Sequence, residues 1–174
     1  MDLKDKQELD ETSQAMNASE ANEVSAGLYN EDGHLRSAFT KSIVETINSE
    51  DKRALFELIE PLHASELGDL LEAISSEQRI KLVKIAGDDF DLNSLTEVDE
   101  AIRLDIVDSL PNTKIALGLQ ELDSDDAVYI LEDMEEEDQI EILDSLPFDE
   151  RILLKRALEY PEDSAGRRMQ TEFI

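Results

Sequence analysis

LPNTKIALGLQE, LDSDDAVYILED, MEEEDQIEILDS and LPFDERILLKRA follow one another without a gap over residues 110–157, and each block opens on an apolar residue: Leu110, Leu122, Met134 and Leu146. Counting backwards in the same twelve-residue step reaches Val98, Ala86, Ile74 and Leu62. Units in one register are the signature of an internal repeat. Six residues after each start stand Gly68, Ile80, Leu92, Leu104, Ala116, Val128, Ile140 and Ile152. Eight or nine after come pairs such as Leu70-Leu71, Leu82-Val83, Ile106-Val107 and Ile130-Leu131. Offsets of six, nine and twelve are three apart, the spacing that aligns side chains on one helix face.

Most starts are followed by helix-start signals: Ser75-Ser76-Glu77-Gln78, Asp123-Ser124-Asp125-Asp126, and the prolines of Leu110-Pro111 and Leu146-Pro147. One unit therefore reads as one short helix plus a turn. Helices of about two turns are marginal alone, so each must bury its apolar stripe against the units before and after it. The expected fold is all-α, a superhelical solenoid of short antiparallel helices. Gly87, within Ala86-Gly87-Asp88-Asp89, marks the least regular junction. No period-two alternation or hairpin dipeptide competes, so strands are not expected.

Working outward, Leu35, Phe39, Ile43, Val44 and Ile47 recur three or four apart and predict an amphipathic helix over 35–47. Residues 1–35 are rich in Asp, Glu, Ser, Asn and Gln with only scattered apolar residues, and read as an acidic, mobile arm. The helical domain spans 36–160. After it, Tyr160-Pro161-Glu162-Asp163-Ser164-Ala165-Gly166-Arg167-Arg168-Met169 breaks the pattern and reads as an exit linker over 161–174. It runs into the apolar Phe173-Ile174, the expected start of a further domain.

The 174 residues carry 44 acidic and 16 basic side chains, a formal charge of −28. That field repels phosphate backbones and anionic headgroups, which argues against nucleic acid or a bare membrane surface as partner. It favours divalent cations or a basic protein surface. With no cysteine, disulfides, thiolate zinc sites and thiol nucleophiles are excluded. No run approaches the ~18 apolar residues of a spanning helix, and Met1-Asp2-Leu3-Lys4-Asp5 lacks a signal-peptide layout. No membrane insertion by this segment is expected.

Only His34 and His63 offer an imidazole, without a paired nucleophile, and His63 reads as a helix-start residue. The six glycines are too dispersed for a phosphate loop. An enzyme built on paired carboxylates, as in glycoside hydrolysis, needs aromatic subsites, and five Phe, three Tyr and no Trp do not supply them. The expectation is a protein that is not an enzyme. Carboxylates are the abundant chemistry, clustered at Asp88-Asp89 with Asp91, Glu97 with Asp99-Glu100, Glu121 with Asp123 and Asp125-Asp126, and Glu132-Asp133 with Glu135 to Asp138. Most fall near helix starts, where an acid caps free N–H groups and complements the helix dipole. The functional alternative is a ridge of acids that holds hydrated Mg²⁺, which needs only one or two direct carboxylates. None has the Asp-x-Asp-x-Asp-Gly layout of a calcium loop.

Leu122-Asp123-Ser124-Asp125-Asp126-Ala127-Val128-Tyr129-Ile130-Leu131-Glu132-Asp133-Met134, with the later Tyr160-Pro161-Glu162-Asp163-Ser164-Ala165-Gly166-Arg167-Arg168-Met169-Gln170-Thr171-Glu172-Phe173, resembles the MgtE magnesium transporters over roughly residues 50–174. The second motif is similar to the junction where that family's cytosolic N domain meets a pair of CBS domains, which precede a membrane channel. The resemblance implies a superhelical domain on the cytoplasmic side of the membrane, in a homodimeric parent, that senses Mg²⁺ and holds the channel closed when Mg²⁺ is plentiful. It implies that Asp125 and Asp126 face the CBS domains and bind the metal. One turn later, where the family can supply another acid, this chain has Tyr129; Gly166 matches the junction, and Arg167 stands where some relatives have a second glycine. The alternative is a helical-repeat assembly module of flagellar rotor type, without metal sensing.

Overall fold

A computed structural model of the chain describes residues 28–160 and residue 164. Within them run α1 (Ser37–Ser49), α2 (Lys52–Ile59), α3 (Ala64–Ala73), α4 (Ser76–Ala86), α5 (Glu100–Val107), α6 (Asn112–Leu119), α7 (Ser124–Leu131), α8 (Glu136–Ser145) and α9 (Phe148–Leu158). Two 3₁₀ turns, Gly87–Asp89 and Leu92–Thr96, separate α4 from α5. The described residues contain no strand, only an isolated antiparallel bridge between Tyr29 and Leu35. The chain is all-helical, as its repeat predicts.

The repeat sets where the helices begin. Each unit start except Ala86 stands immediately before an N-cap: Leu62 before His63, Ile74 before Ser75, Val98 before Asp99, Leu110 before Pro111, Leu122 before Asp123, Met134 before Glu135 and Leu146 before Pro147. Ile74, Val98 and Leu146 are buried, and Leu62, Leu110, Leu122 and Met134 pack partly buried against the same core. Eight or nine residues on, Leu70-Leu71, Leu82-Val83, Ile106-Val107, Ile130-Leu131 and Ile142-Leu143 are buried too. Each such side chain contributes about 1.5–3 kcal/mol relative to leaving it in water. At the first turns, carboxylates cap as expected: Asp51 accepts from the Ala54 N–H, and Glu66 accepts from the His63 N–H at 3.0 Å.

The unit starting at Ala86 departs from the one-helix rule. Gly87 takes φ +66°, ψ −125°, a conformation open to glycine alone, and ends α4. Asp91 then draws the Asn93 N–H onto its own side chain at 2.9 Å, a local bond that competes with helix formation. The segment tightens into 3₁₀ turns instead, yet Leu92 and Leu95 still reach the core at the offsets the repeat assigns. The six-residue offset also fails at the end of the described stack, where Ile140 and Ile152 are 50% and 46% exposed. Among the described residues no helix follows α9 to cover them.

Helices pack on their second neighbours: α2 on α4, α6 on α8 and α7 on α9. The 3₁₀ turn Leu92–Thr96 lies at a crossing, against α3, α6 and α7. Its approach to α3 is possible because residue 68 is glycine; a Cβ there would lie 2.9 Å from the Glu97 Cβ.

Leu35, expected inside the first helix, lies before it, while Ile43 and Ile47 are fully buried on α1 as predicted. The cause is a turn over Asn30–His34: the Asn30 Oδ1 accepts from the N–H groups of Asp32 and His34, and Gly33 takes φ +79°. The turn is tied down by buried Leu28 and by the Tyr29 hydroxyl, which donates to Asp69 on α3 at 2.7 Å. The rest of the expected mobile arm, residues 1–27, lies outside the described residues, as does the linker 161–174 apart from Ser164.

Candidate metal site

The N-terminus of α7 gathers the acids. Asp123 is its N-cap and Asp125 and Asp126 fill the first turn, where free N–H groups and the helix dipole favour negative charge. Among the described residues, Asp123, Asp125 and Asp126 form the one group of three acids that can each offer a carboxylate oxygen within 4.8 Å of the others. Several other acids are paired by side chains from distant segments. Asp88 and Asp89 pair with Lys114 and Lys52, each at 3.0 Å; Asp133 pairs with Arg103; Asp138 and Glu141 accept from the Asn112 amide at 3.0 and 2.9 Å.

A cleft of about 300 Å³ opens on this turn, lined by Thr96, Glu97, Asp125, Asp126 and Tyr129. The 3₁₀ turn supplies Thr96 and the C-cap Glu97, and α7 supplies the rest. The geometry is electrostatically unbalanced. Burial raises the Asp126 pKa above the ordinary aspartate value, and the charges of Asp125, Asp123 and Glu97 raise it further. One oxygen of Asp125, Oδ1, is buried and accepts no hydrogen bond from the protein. Such an oxygen costs about 1–3 kcal/mol in lost solvation, more for a charge, unless something pairs with it. A hard cation meets each of these demands: it takes oxygen ligands, lowers the carboxylate pKa and offsets the repulsion among the acids. With water occupying about 30 Å³, the cleft has room for an ion that keeps several waters.

Tyr129 lines the cleft from the same helix, one turn past Asp125. Its ring is stacked on the Arg103 guanidinium, 4.1 Å from the ring centroid. Arg103 comes from α5 and is 2% exposed. Its Nε and Nη2 both donate to Asp133, while Nη1 lies 3.4 Å from the Leu95 carbonyl and 3.5 Å from that of Val98. Burial works against its charge, but hydrogen bonding and charge interactions with Asp133 and Tyr129 together outweigh it and hold its pKa above the usual arginine value.

Of the sequence candidates, Asp125 and Asp126 fall together in this cleft, whereas Gly166 and Arg167 lie outside the described residues. Glu97 stands out in sequence only as one acid among many; its place opposite Asp126 comes from packing of the 3₁₀ turn on α7. Arg103 carries no clear signal either: it stands five residues after Val98, where other units have Leu67, Ile115 and Ala127 but also Arg79, Asp91, Gln139 and Arg151. Its burial and its ion pair are set by tertiary packing.

A family model for the MgtE intracellular N domain matches residues 62–163. Among solved structures, the chain is similar to the soluble part of a magnesium transporter, with a TM-score of 0.62 and 22% identity. The match covers 79% of this chain and 54% of that one, so this chain spans about half the length of the protein it resembles. No curated protein matches the chain.

Proposed function

Because the chain belongs to the MgtE intracellular N domain family, we propose that it is the cytosolic regulatory domain of a magnesium transporter and that the cleft on α7 is where it reads Mg²⁺. The carrying observation is that Asp123, Asp125 and Asp126 each offer a carboxylate oxygen within 4.8 Å of the others, and that one oxygen of Asp125 is buried without a hydrogen bond from the protein. Asp125 and Asp126 are the direct ligands in this reading, with Asp123 and Glu97 contributing charge or water-mediated contacts. The partner is the pair of CBS domains expected to follow in the same polypeptide.

The mechanism follows from charge. A domain with formal charge −28 and an exposed acidic cleft repels another acidic surface, and at ~4 Å two like unit charges at an effective dielectric of 20 oppose each other by about 4 kcal/mol. A divalent ion between them reverses the sign. Closure is then a population shift, since Mg²⁺ binds the assembled arrangement, where two surfaces supply ligands, better than the separated one. Such shared sites are weak in either half alone.

The test is thermal unfolding of the 174-residue chain in millimolar Mg²⁺ against NaCl of equal ionic strength. At ten times the Kd, binding stabilises by about 1.4 kcal/mol, a rise of roughly 3–6 °C for a domain of this size. An equal response to both salts reduces the effect to screening and refutes the site. In the full transporter, D125N/D126N is expected to weaken closure by Mg²⁺; unchanged closure removes both residues from the site.

A further inference from the structure

We infer that Arg103 is the positioning residue of the cation cleft: it touches no ligand oxygen, but it holds both walls at their separation. The inference rests on the reading that the cleft takes Mg²⁺. The two walls come from segments about 30 residues apart, the 3₁₀ turn with Thr96 and Glu97 and the helix α7 with Asp125, Asp126 and Tyr129. Arg103 lies behind both. Its Nη1 reaches the Leu95 and Val98 carbonyls, which bracket Thr96 and Glu97, and its planar face stacks on Tyr129, the wall residue one turn past Asp125. Asp133, just beyond the end of α7, then fixes the guanidinium by accepting from Nε and Nη2.

No other side chain type does all of this. A guanidinium presents donors along two edges and an unencumbered face at once, whereas an ammonium is a point charge that satisfies one partner well. Arg103 is therefore a spacer with defined geometry, and the cleft inherits its width from it. A bare positive charge at this place acts the other way, since it repels a cation. Positioning and charge thus predict opposite signs for the loss of Arg103 alone, and when Asp133 is removed with it the two charge effects offset, so the change that is left reports on positioning.

The experiment uses the 174-residue chain and two variants. R103M/D133L removes both charges, so no buried charge is left unpaired and the net charge is unchanged; R103K keeps the charge and loses the fork. Circular dichroism first confirms helicity and cooperative melting. Amide resonances of Thr96 and Glu97 and the Tyr129 ring resonances are then compared in Mg²⁺-free protein, and the same signals are followed through a MgCl₂ titration. The expected result is that these resonances shift in both variants without Mg²⁺, and that Mg²⁺ binds about tenfold more weakly to R103M/D133L, as for loss of a residue that orients metal ligands. R103K weakens binding too, despite its charge. Wall resonances that stay in place in folded R103M/D133L overturn the inference, as does unchanged or tighter Mg²⁺ binding. If the unsubstituted chain shows no Mg²⁺ response, the reading of the cleft as a cation site falls, and the Mg²⁺-free resonances still decide whether Arg103 sets its walls.

Discussion

Gly68→Ala puts the packing beneath the cleft to a direct test. On an ordinary helix this change stabilises by about 0.8–1 kcal/mol, because glycine carries a larger conformational entropy loss. Here the new Cβ meets the Glu97 Cβ at 2.9 Å, with the Glu97 and Ser94 carbonyl oxygens at 3.4 and 3.5 Å. None of these is the free end of a flexible chain, and Ser94 and Leu95 are fully buried on the turn that must yield. Overpacking of this kind costs about 1–3 kcal/mol, so the net effect is a loss of up to about 2 kcal/mol once the helix gain is subtracted. For a domain of this size that lowers the melting temperature by up to roughly 4–8 °C. The assay is a double-mutant cycle with E97G, which removes the Cβ on the other side of the contact. Recovery of about 1 kcal/mol or more in the double variant identifies the pair as the source. A G68A chain that melts higher, or a cost unchanged by E97G, refutes the reasoning. Because Glu97 lines the cleft, G68A is also expected to weaken Mg²⁺ binding.

Two further predictions concern titration. The Asp126 pKa is raised by burial and then by its acidic neighbours, so the folded chain binds a proton more readily than the unfolded one. The stability associated with it is therefore gained as pH falls and lost as pH rises through a window above the ordinary aspartate range. D126N is expected to flatten that slope in pH-dependent urea melts and to stabilise the chain at neutral pH; a slope identical to that of the unsubstituted chain counts against the repulsive cleft. The Tyr29 pKa is raised by burial first and then by its hydrogen bond to Asp69. Its contribution is complete below the ordinary tyrosine value and lost at higher pH. Y29F should cost about 0.5–1.5 kcal/mol and remove the latest-titrating phenol from the absorbance titration at alkaline pH. Three phenols that titrate together in the unsubstituted chain contradict the contact.

The twelve-residue register was enough to place the helix starts, because an apolar residue before a capping residue is a local arrangement that each unit repeats. It was also enough for the all-α class and for the family resemblance, since Leu122–Met134 carries both the apolar stripe and the acidic helix start. Where it broke down, the reasons were local chemistry or position in the stack. Asp91 and Gly87 turned the Ala86 unit into 3₁₀ turns, and the lack of a following helix among the described residues left Ile140 and Ile152 exposed.

The acids told a different story. Some of the acids visible in sequence resolve into ion pairs, such as Asp88 with Lys114 and Asp133 with Arg103. Which acids remain unbalanced depends on which cations and carbonyls arrive from distant segments, and periodicity carries no information about that. Local sequence determined that Asp125 and Asp126 begin a helix. Only the tertiary packing of the Leu92–Thr96 turn against α7, permitted by Gly68 and braced by Arg103, brought Glu97 across from them. Helix starts are set by interactions within a few residues, whereas a cleft is set by the distance between elements that only the folded core defines.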